Sequence, residues 1–253
     1  MKPKSKPEQD KERVFLTAEW RYLALLNYPV DPALLLPRVP RGTELDEFNG
    51  KTFVSVVGFR FLAAKLKGVP IPFHRDFEEV NLRFYVRRRE NGAVKRGVVF
   101  IQEIVPRFAI ATVARLAYNE NYRSLPMAHR IVQSGESPIP QLSVEYSWRL
   151  KSARYRLKVV ATGEPRLATE GSEEQFISEH YWGYCAQPDG GCVEYHVSHP
   201  NWRIWQAAEA SLEGNMTEFY GPEFAQYLNR PPDSAFLADG SSVAVYSGKK
   251  LAS

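Results

Sequence analysis

The chain has 253 residues, 44% of them hydrophobic and 25% charged, with only two cysteines and a formal net charge of +4. That apolar content over that length can bury a sizeable core, which excludes a disordered or fibrous chain, and two cysteines exclude a disulfide scaffold. The positive charge admits a nucleic-acid partner only if the cations form a coherent surface, so their positions decide the matter.

Residues 1–13, MKPKSKPEQDKER, hold Lys2, Lys4, Lys6, Lys11 and Arg13 against Glu8, Asp10 and Glu12, with no apolar residue after Met1. Such a segment has nothing to bury and is expected to be a disordered, charged tail ahead of a single domain over residues 14–253. It lacks the apolar stretch of a signal peptide, and no later run approaches the ~18 apolar residues of a membrane helix. A cytoplasmic location without membrane contact is the expectation. A second cluster, Arg83, Arg87, Arg88, Arg89, Lys95 and Arg96 against Glu90, is more basic than the whole chain, so with the tail it leaves the remainder mildly acidic.

Val14 to Val30 reads mainly as a strand. In VDPALLLPRVP, Asp31 is placed to cap a short helix with Pro32 at its first position, stopped before Pro37. Thr52 to Leu62 is apolar on both parities through Phe59, as in a strand buried on both sides. In EVNLRFYVR, by contrast, Val80, Leu82, Phe84 and Val86 alternate with Glu79, Asn81, Arg83, Tyr85 and Arg87, which predicts one apolar and one polar face. Asn91-Gly92 is the strongest hairpin signal in the chain and returns it as Val98 to Val105, placing most of the arginines at the hairpin tip. A tip of that kind is commonly a solvated edge that blocks aggregation, and it lacks interleaved aromatics, so nucleic acid is disfavoured.

After Pro106, RFAIATVARLAYN is apolar almost all round and predicts a helix packed inside or across a sheet. LSVEYSWRL and SARYRLKVV alternate on opposite parities, which requires a tight turn or bulge near Lys151 and Ser152. Ser172 and Gln175 form a capping-box pattern at the head of a helix expected to reach Tyr184, with Phe176, Ile177, His180, Tyr181 and Tyr184 on one face. Cys192 is followed by a strand over Val193 to Val197, PEFAQYL predicts a short helix, and SSVAVYS a closing strand. Many long strands with few helices define an α+β domain around a large, mostly antiparallel sheet or barrel.

The runs WRYLALLNYPVDPALLLPRVPRGTELDEFNGKTFVSVVGFRF, FEEVNLRFYVRR, GVVFIQEIV, VARLAYNENYRSLPM and HPNWRIW resemble the YqjF-like family of uncharacterised bacterial proteins over roughly residues 14 to 247. That family resembles the acetoacetate-decarboxylase-like superfamily, which implies an antiparallel barrel with a central cavity and a few flanking helices. The decarboxylases work through a Schiff-base lysine that follows the central helix in a Gly-Phe-Pro-Lys-Lys-like turn. Here the corresponding turn reads Tyr118-Asn119-Glu120-Asn121-Tyr122-Arg123, without a lysine. Arginine cannot substitute, because guanidinium stays protonated. Glu79 falls where the decarboxylase strand carries a cavity glutamate.

These readings select Glu79, Arg83, Arg115, Tyr122 and Arg123 as candidate ligand-binding residues. Glu79 is expected in an ion pair with Arg83 or Arg115, and Arg115 or Arg123 could hold a carboxylate in bidentate fashion. The expected function is binding of a small acidic or carbonyl-containing molecule in a barrel cavity. Any chemistry would be lyase-like and acid-base, with Glu79 as base and an arginine stabilising the oxyanion. Two alternatives stand beside it. One is a non-enzymatic assembly or partner-binding protein using the arginine-rich hairpin, with a homo-oligomer left open. The other is imine chemistry from Lys65 or Lys67. His180, Cys185, Cys192, His196 and His199 cluster in sequence, but the wide Cys spacing and the opposite strand parity of His196 and His199 argue against zinc, so no metal and no cofactor are expected.

Overall fold

The structure, a computed structural model, describes residues 13–70, 75–106, 121–134 and 140–251. Nearly all of the expected tail and the apolar helix after Pro106, with Arg115, lie outside the described residues.

The first half of the chain builds long strands: β1 (Val14–Val30), β2 (Glu44–Leu45), β3 (Thr52–Leu66), β4 (Val69–Pro70), β5 (Phe77–Glu90), β6 (Ala93–Val105) and β7 (Tyr122–Ser124). Asp31 caps the short helix α1 (Pro32–Leu35) by accepting from the Ala33 amide at 2.8 Å. A hairpin turning at Asn91 and Gly92, both at positive φ, joins β5 to β6. The second half contributes β8 (Met127–Ser134), β9 (Gln141–Leu150), β10 (Ala153–Thr162) and β11 (Arg166–Leu167), then helix α2 (Glu173–Ser178). The parity flip between β9 and β10 is a tight turn with Lys151 at φ 54°. The chain ends through β12 (Trp182–Ala186), β13 (Cys192–Ser198), β14 (Arg203–Glu213), helices α3 (Met216–Tyr220) and α4 (Pro222–Leu228), β15 (Ser234–Tyr246) and β16 (Lys249–Lys250).

One expectation is corrected here. Ser172 does cap a helix, accepting from the Gln175 amide at 3.2 Å, but α2 stops at Ser178 rather than reaching Tyr184. The chain then pairs with β6 as a parallel strand, with Trp182 opposite Gly97 and Gly183 opposite Val98. Pairing with a distant strand outweighs local helical periodicity, and Tyr184 becomes a strand residue. Gly97 permits the joint: a Cβ there would lie 2.6 Å from the Trp182 carbonyl oxygen.

Strands β6, β5, β3, β1 and β15 pair in that order, and β13 and β12 connect β15 back to β6. The path therefore closes on itself, but two joints are only two residues long, so the result is a large mixed sheet rather than a regular barrel. From β15 the sheet continues through β14, β10, β9 and β8, and this extension folds over the outside of the ring. Two cores follow. Val54, Val56, Val80, Leu82, Phe84 and Val86 face outward and pack against Val144, Tyr146, Trp148, Leu157 and Val159 together with α3 and α4. Phe53, Val57, Phe59, Phe61, Phe77 and Tyr85 face the ring interior. Gly58 lets the layers touch, because the Tyr146 ring lies where its Cβ would be, 2.6 Å away, and the Tyr146 hydroxyl donates to the Tyr22 carbonyl at 2.9 Å.

Bulges set which residues point inward. In β1 the inward parity changes from Ala18 and Trp20 to Leu23 and Leu25 across Tyr22, which sits at φ 56°. In β6 a register shift between the Arg83–Phe100 and Leu82–Gln102 pairs moves the inward side from Val98 and Phe100 to Glu103 and Val105.

Candidate functional site in the strand ring

The ring interior encloses a cavity of about 130 Å³ whose walls include Trp20, Phe59, Phe61, Phe77, Phe100 and Trp202. A cavity near 150 Å³ admits a benzene-sized molecule, so the space here suits an occupant of a handful of heavy atoms. Set into this aromatic wall are Glu79, Asn81 and Arg83 on β5, Glu103 on β6, Tyr122 on β7, and His180 and His199. The polar face expected for β5 is therefore the inner face of the ring. The β6 bulge adds Glu103, which simple alternation would have turned outward.

Glu79 is 3% exposed. Asn81 Nδ2 donates to its Oε1 at 3.0 Å and the Tyr122 hydroxyl donates to its Oε2 at 3.3 Å. Among the described residues Glu79 forms no ion pair with Arg83, and Arg115, the other expected partner, lies outside them. Burial pushes the carboxyl up to about 7, against the opposing pull of Asn81, Tyr122 and the Arg83 charge. Asn81 is itself buried, and its Oδ1 has no hydrogen-bond partner among the described residues.

Arg83 is half-buried and anchored from below. Ser55 donates to Asn27 Oδ1 at 2.6 Å, so the Tyr85 hydroxyl, 2.6 Å from Ser55, donates to Ser55 and its oxygen accepts from Arg83 Nε at 3.4 Å. A second donor of the guanidinium reaches the Ile177 carbonyl at 3.2 Å. Among the described residues no carboxylate lies within ion-pair distance of Arg83, and its remaining N–H groups have no protein acceptor.

His180 lies just beyond α2 with its side chain 1% exposed, between the rings of Tyr85 and Phe176. Its Nε2 is 3.4 Å from Asp46 Oδ2, close enough for a charge contact, and neither ring nitrogen has a hydrogen-bond partner among the described residues. Asp46 follows β2, where its amide donates to the Tyr85 carbonyl at 3.0 Å, and its fully buried carboxylate also meets Arg96 at 3.0 Å and Arg87 at 3.6 Å. Burial pushes the imidazole down to about 4, with Asp46 opposing and the charges of Arg83 and Arg96 reinforcing. Burial would raise the Asp46 carboxyl, but His180, Arg96 and Arg87 hold it below the usual carboxylate range. Asp46 is therefore an anion and His180 a neutral ring. His199 also reaches the cavity, stacked 4.1 Å from Trp202 with its Nδ1 2.9 Å from the Pro200 carbonyl oxygen.

Of the residues selected from the sequence, the structure brings Glu79, Arg83 and Tyr122 together at the cavity. Arg123, next in chain to Tyr122, takes the opposite face of β7 and lies over the Phe219 ring at 5.3 Å, away from the cavity. Strand alternation forces that split. Arg115 lies outside the described residues. Asp46 was not among the selected residues, although it stands in the quoted ELDEF run, and the signal that marks it is structural: a carboxylate buried between two arginines and a histidine. Among the described residues no three His, Cys, Asp or Glu side chains converge on a metal-binding point. No lysine lines the cavity among the described residues, and Lys65 and Lys67 are exposed.

The basic hairpin differs from a bare solvated tip. Arg87 and Arg89 pair with Glu44, Arg88 and Lys95 with Glu90 and Glu194, and Arg96 with Asp46. Each of these cations thus has a carboxylate partner within the chain. No helix among the described residues is long and apolar enough to cross a membrane.

A closed strand ring around a cavity, backed by a second strand layer, is the acetoacetate-decarboxylase-like fold. The chain superposes on acetoacetate decarboxylase from Legionella pneumophila with a TM-score of 0.65 at 13% identity, covering 99% of this chain and 92% of that one. It superposes on an acetoacetate-decarboxylase-like enzyme from Sphingomonas wittichii RW1 with a TM-score of 0.61 at 14% identity, covering 100% and 99%. The enduracididine biosynthesis enzyme MppR in complex with pyruvate matches with a TM-score of 0.64 at 12% identity, over 99% and 95%. By sequence, the chain belongs to the DUF2071 family of uncharacterized conserved proteins, whose model matches residues 17–242. It is 27% identical over 206 residues to the uncharacterized protein YqjF of Bacillus subtilis (strain 168), covering 80% of each chain.

Proposed function

We propose that this protein binds a small keto acid in the ring cavity and moves a proton on it without forming an imine. The observation that carries this reading is Arg83. A guanidinium set in an aromatic cavity with no carboxylate counter-ion among the described residues is costly to keep there, and an anionic ligand offsets that cost. Its unused N–H groups suit a carboxylate, and the unpartnered Asn81 Oδ1 adds an acceptor. Glu79, titrating near neutral pH, is the group suited to exchange a proton with the ligand's carbonyl oxygen. The cavity volume favours an acid of pyruvate size, and the similarity in fold to a pyruvate-binding enzyme supports that choice. The turn before Arg123 has no lysine, and none lines the cavity among the described residues, which supports a reading without an imine. The protein acts in the cytoplasm on this reading. Partner binding through the basic hairpin has weaker support, because those arginines already have intramolecular partners.

Calorimetric titration with pyruvate tests the reading. Binding to the wild-type protein and its loss in Arg83→Met are the expected results. Equal binding by both proteins would overturn the role of Arg83. Borohydride treatment in the presence of pyruvate is expected to leave the protein mass unchanged; a reduced adduct would replace this reading with imine chemistry.

A further inference from the structure

We infer that Glu79 and His180 form an acid–base pair for enolising a small keto acid, Glu79 as proton donor and His180, oriented by Asp46, as proton acceptor. The inference rests on the binding reading above and assigns the chemistry of the same cavity.

Three observations support it. First, Glu79, Arg83 and His180 line one cavity, so a small carboxylate held by Arg83 shares that space with both groups able to transfer protons. Second, the tautomer of His180 is set by its partner. The Asp46 carboxylate lies 3.4 Å from Nε2 without a formed hydrogen bond, so its charge favours the proton there and leaves Nδ1, which has no hydrogen-bond partner among the described residues, as the acceptor. Arg87 and Arg96 keep Asp46 ionised, so it also stabilises the imidazolium that forms.

Third, the two environments push the groups in opposite directions, the carboxyl up to about 7 and the imidazole down to about 4. In water between those values a glutamate is ionised and a histidine increasingly protonated; here the carboxyl keeps its proton and the ring is neutral. Two titratable groups pushed apart define an acid and a base. In the step, Nδ1 of His180 takes a proton from the carbon next to the ligand carbonyl. The C–H electron pair becomes the C=C bond, and the carbonyl π pair moves to oxygen, which takes the Glu79 proton. The products are the enol, the Glu79 carboxylate and the His180 imidazolium; the reverse transfers restore both groups.

Proton nuclear magnetic resonance of pyruvate in deuterium oxide with the full chain reads the step as loss of the methyl signal. Wild-type protein is expected to accelerate this exchange. His180→Asn and Glu79→Gln are each expected to slow the catalysed rate by about 10²-fold while still binding pyruvate, and Arg156→Gln, on the solvent side of the outer layer, to leave it unchanged. Pyruvate bound without accelerated exchange, or exchange unaffected by His180→Asn, would overturn the pair while leaving the binding reading intact. Nitrogen-15 shifts of the unliganded wild-type protein test the dyad without any ligand: Nε2 protonated and Nδ1 bare is expected, and the opposite tautomer would remove the role of Asp46. Should pyruvate fail to bind, the binding reading falls and the enolisation role with it, and the tautomer alone decides whether Asp46 orients His180.

Discussion

The two faces of β5 come from one alternating run of residues and do opposite things. Val80, Leu82, Phe84 and Val86 close against the outer strand layer with essentially no exposure, whereas Glu79, Asn81 and Arg83 border a cavity with incomplete internal partners. The outward set is packing surface, and its energy is realised on folding. The inward set holds polar groups in an aromatic wall and leaves donors and acceptors for something else. Stability and function thus divide along a strand with a period of two residues.

Substitutions on the two faces test that division. Phe84→Ala leaves a void between the layers and is expected to cost about 3–5 kcal/mol in urea unfolding, while Arg83→Met, removing a charge without a carboxylate partner, is expected to be neutral or stabilising. A similar loss for both would erase the distinction between the faces.

The next largest effect depends on pH. The folded-state value of Glu79 lies above its ordinary one, so its contribution to stability is complete below pH ~4.5 and is lost as pH rises through about 7. His180 has the opposite sign: depressed in the fold, it leaves stability complete above its ordinary value near pH 6.5 and lost as pH falls toward 4. The two slopes oppose each other between pH 4.5 and 6.5 and separate in single variants. Glu79→Gln should match wild type near pH 4 and exceed it by roughly 3 kcal/mol at pH 8. Chemical denaturation across pH measures this, and a pH-independent difference would remove the buried, protonated carboxyl.

A smaller effect is expected where the layers meet. Gly58→Ala drives a methyl into the Tyr146 ring, which lies 2.6 Å from the Cβ position, and should cost about 1–3 kcal/mol in thermal unfolding. The smallest belongs to the solvent side of the outer layer. Arg156, 43% exposed, pairs with Glu213 at 2.6 Å, and Arg156→Gln should shift stability by less than about 0.5 kcal/mol, less still in high salt.

Much of this was legible in the chain. Strict alternation in EVNLRFYVR specified two faces, Asn91-Gly92 specified the hairpin, Asp31-Pro32 the start of a helix, and the opposed parities of β9 and β10 the turn between them, because each signal is short-range and rests on backbone geometry. Glu79, Arg83 and Tyr122 were identifiable as polar residues on or beside apolar elements. What only the tertiary structure decided depends on contacts between distant segments. Pairing with Gly97 turned the end of an expected helix into β12, and the β6 bulge brought Glu103 inward. Tyr122 and Arg123, adjacent in sequence, were divided between the cavity and the outer core. Asp46 was set against His180 across more than half the chain. Alternation predicts that a strand has two faces, but it cannot say which one encloses a cavity; ring closure and the outer strand layer, both formed by remote pairing, make that assignment.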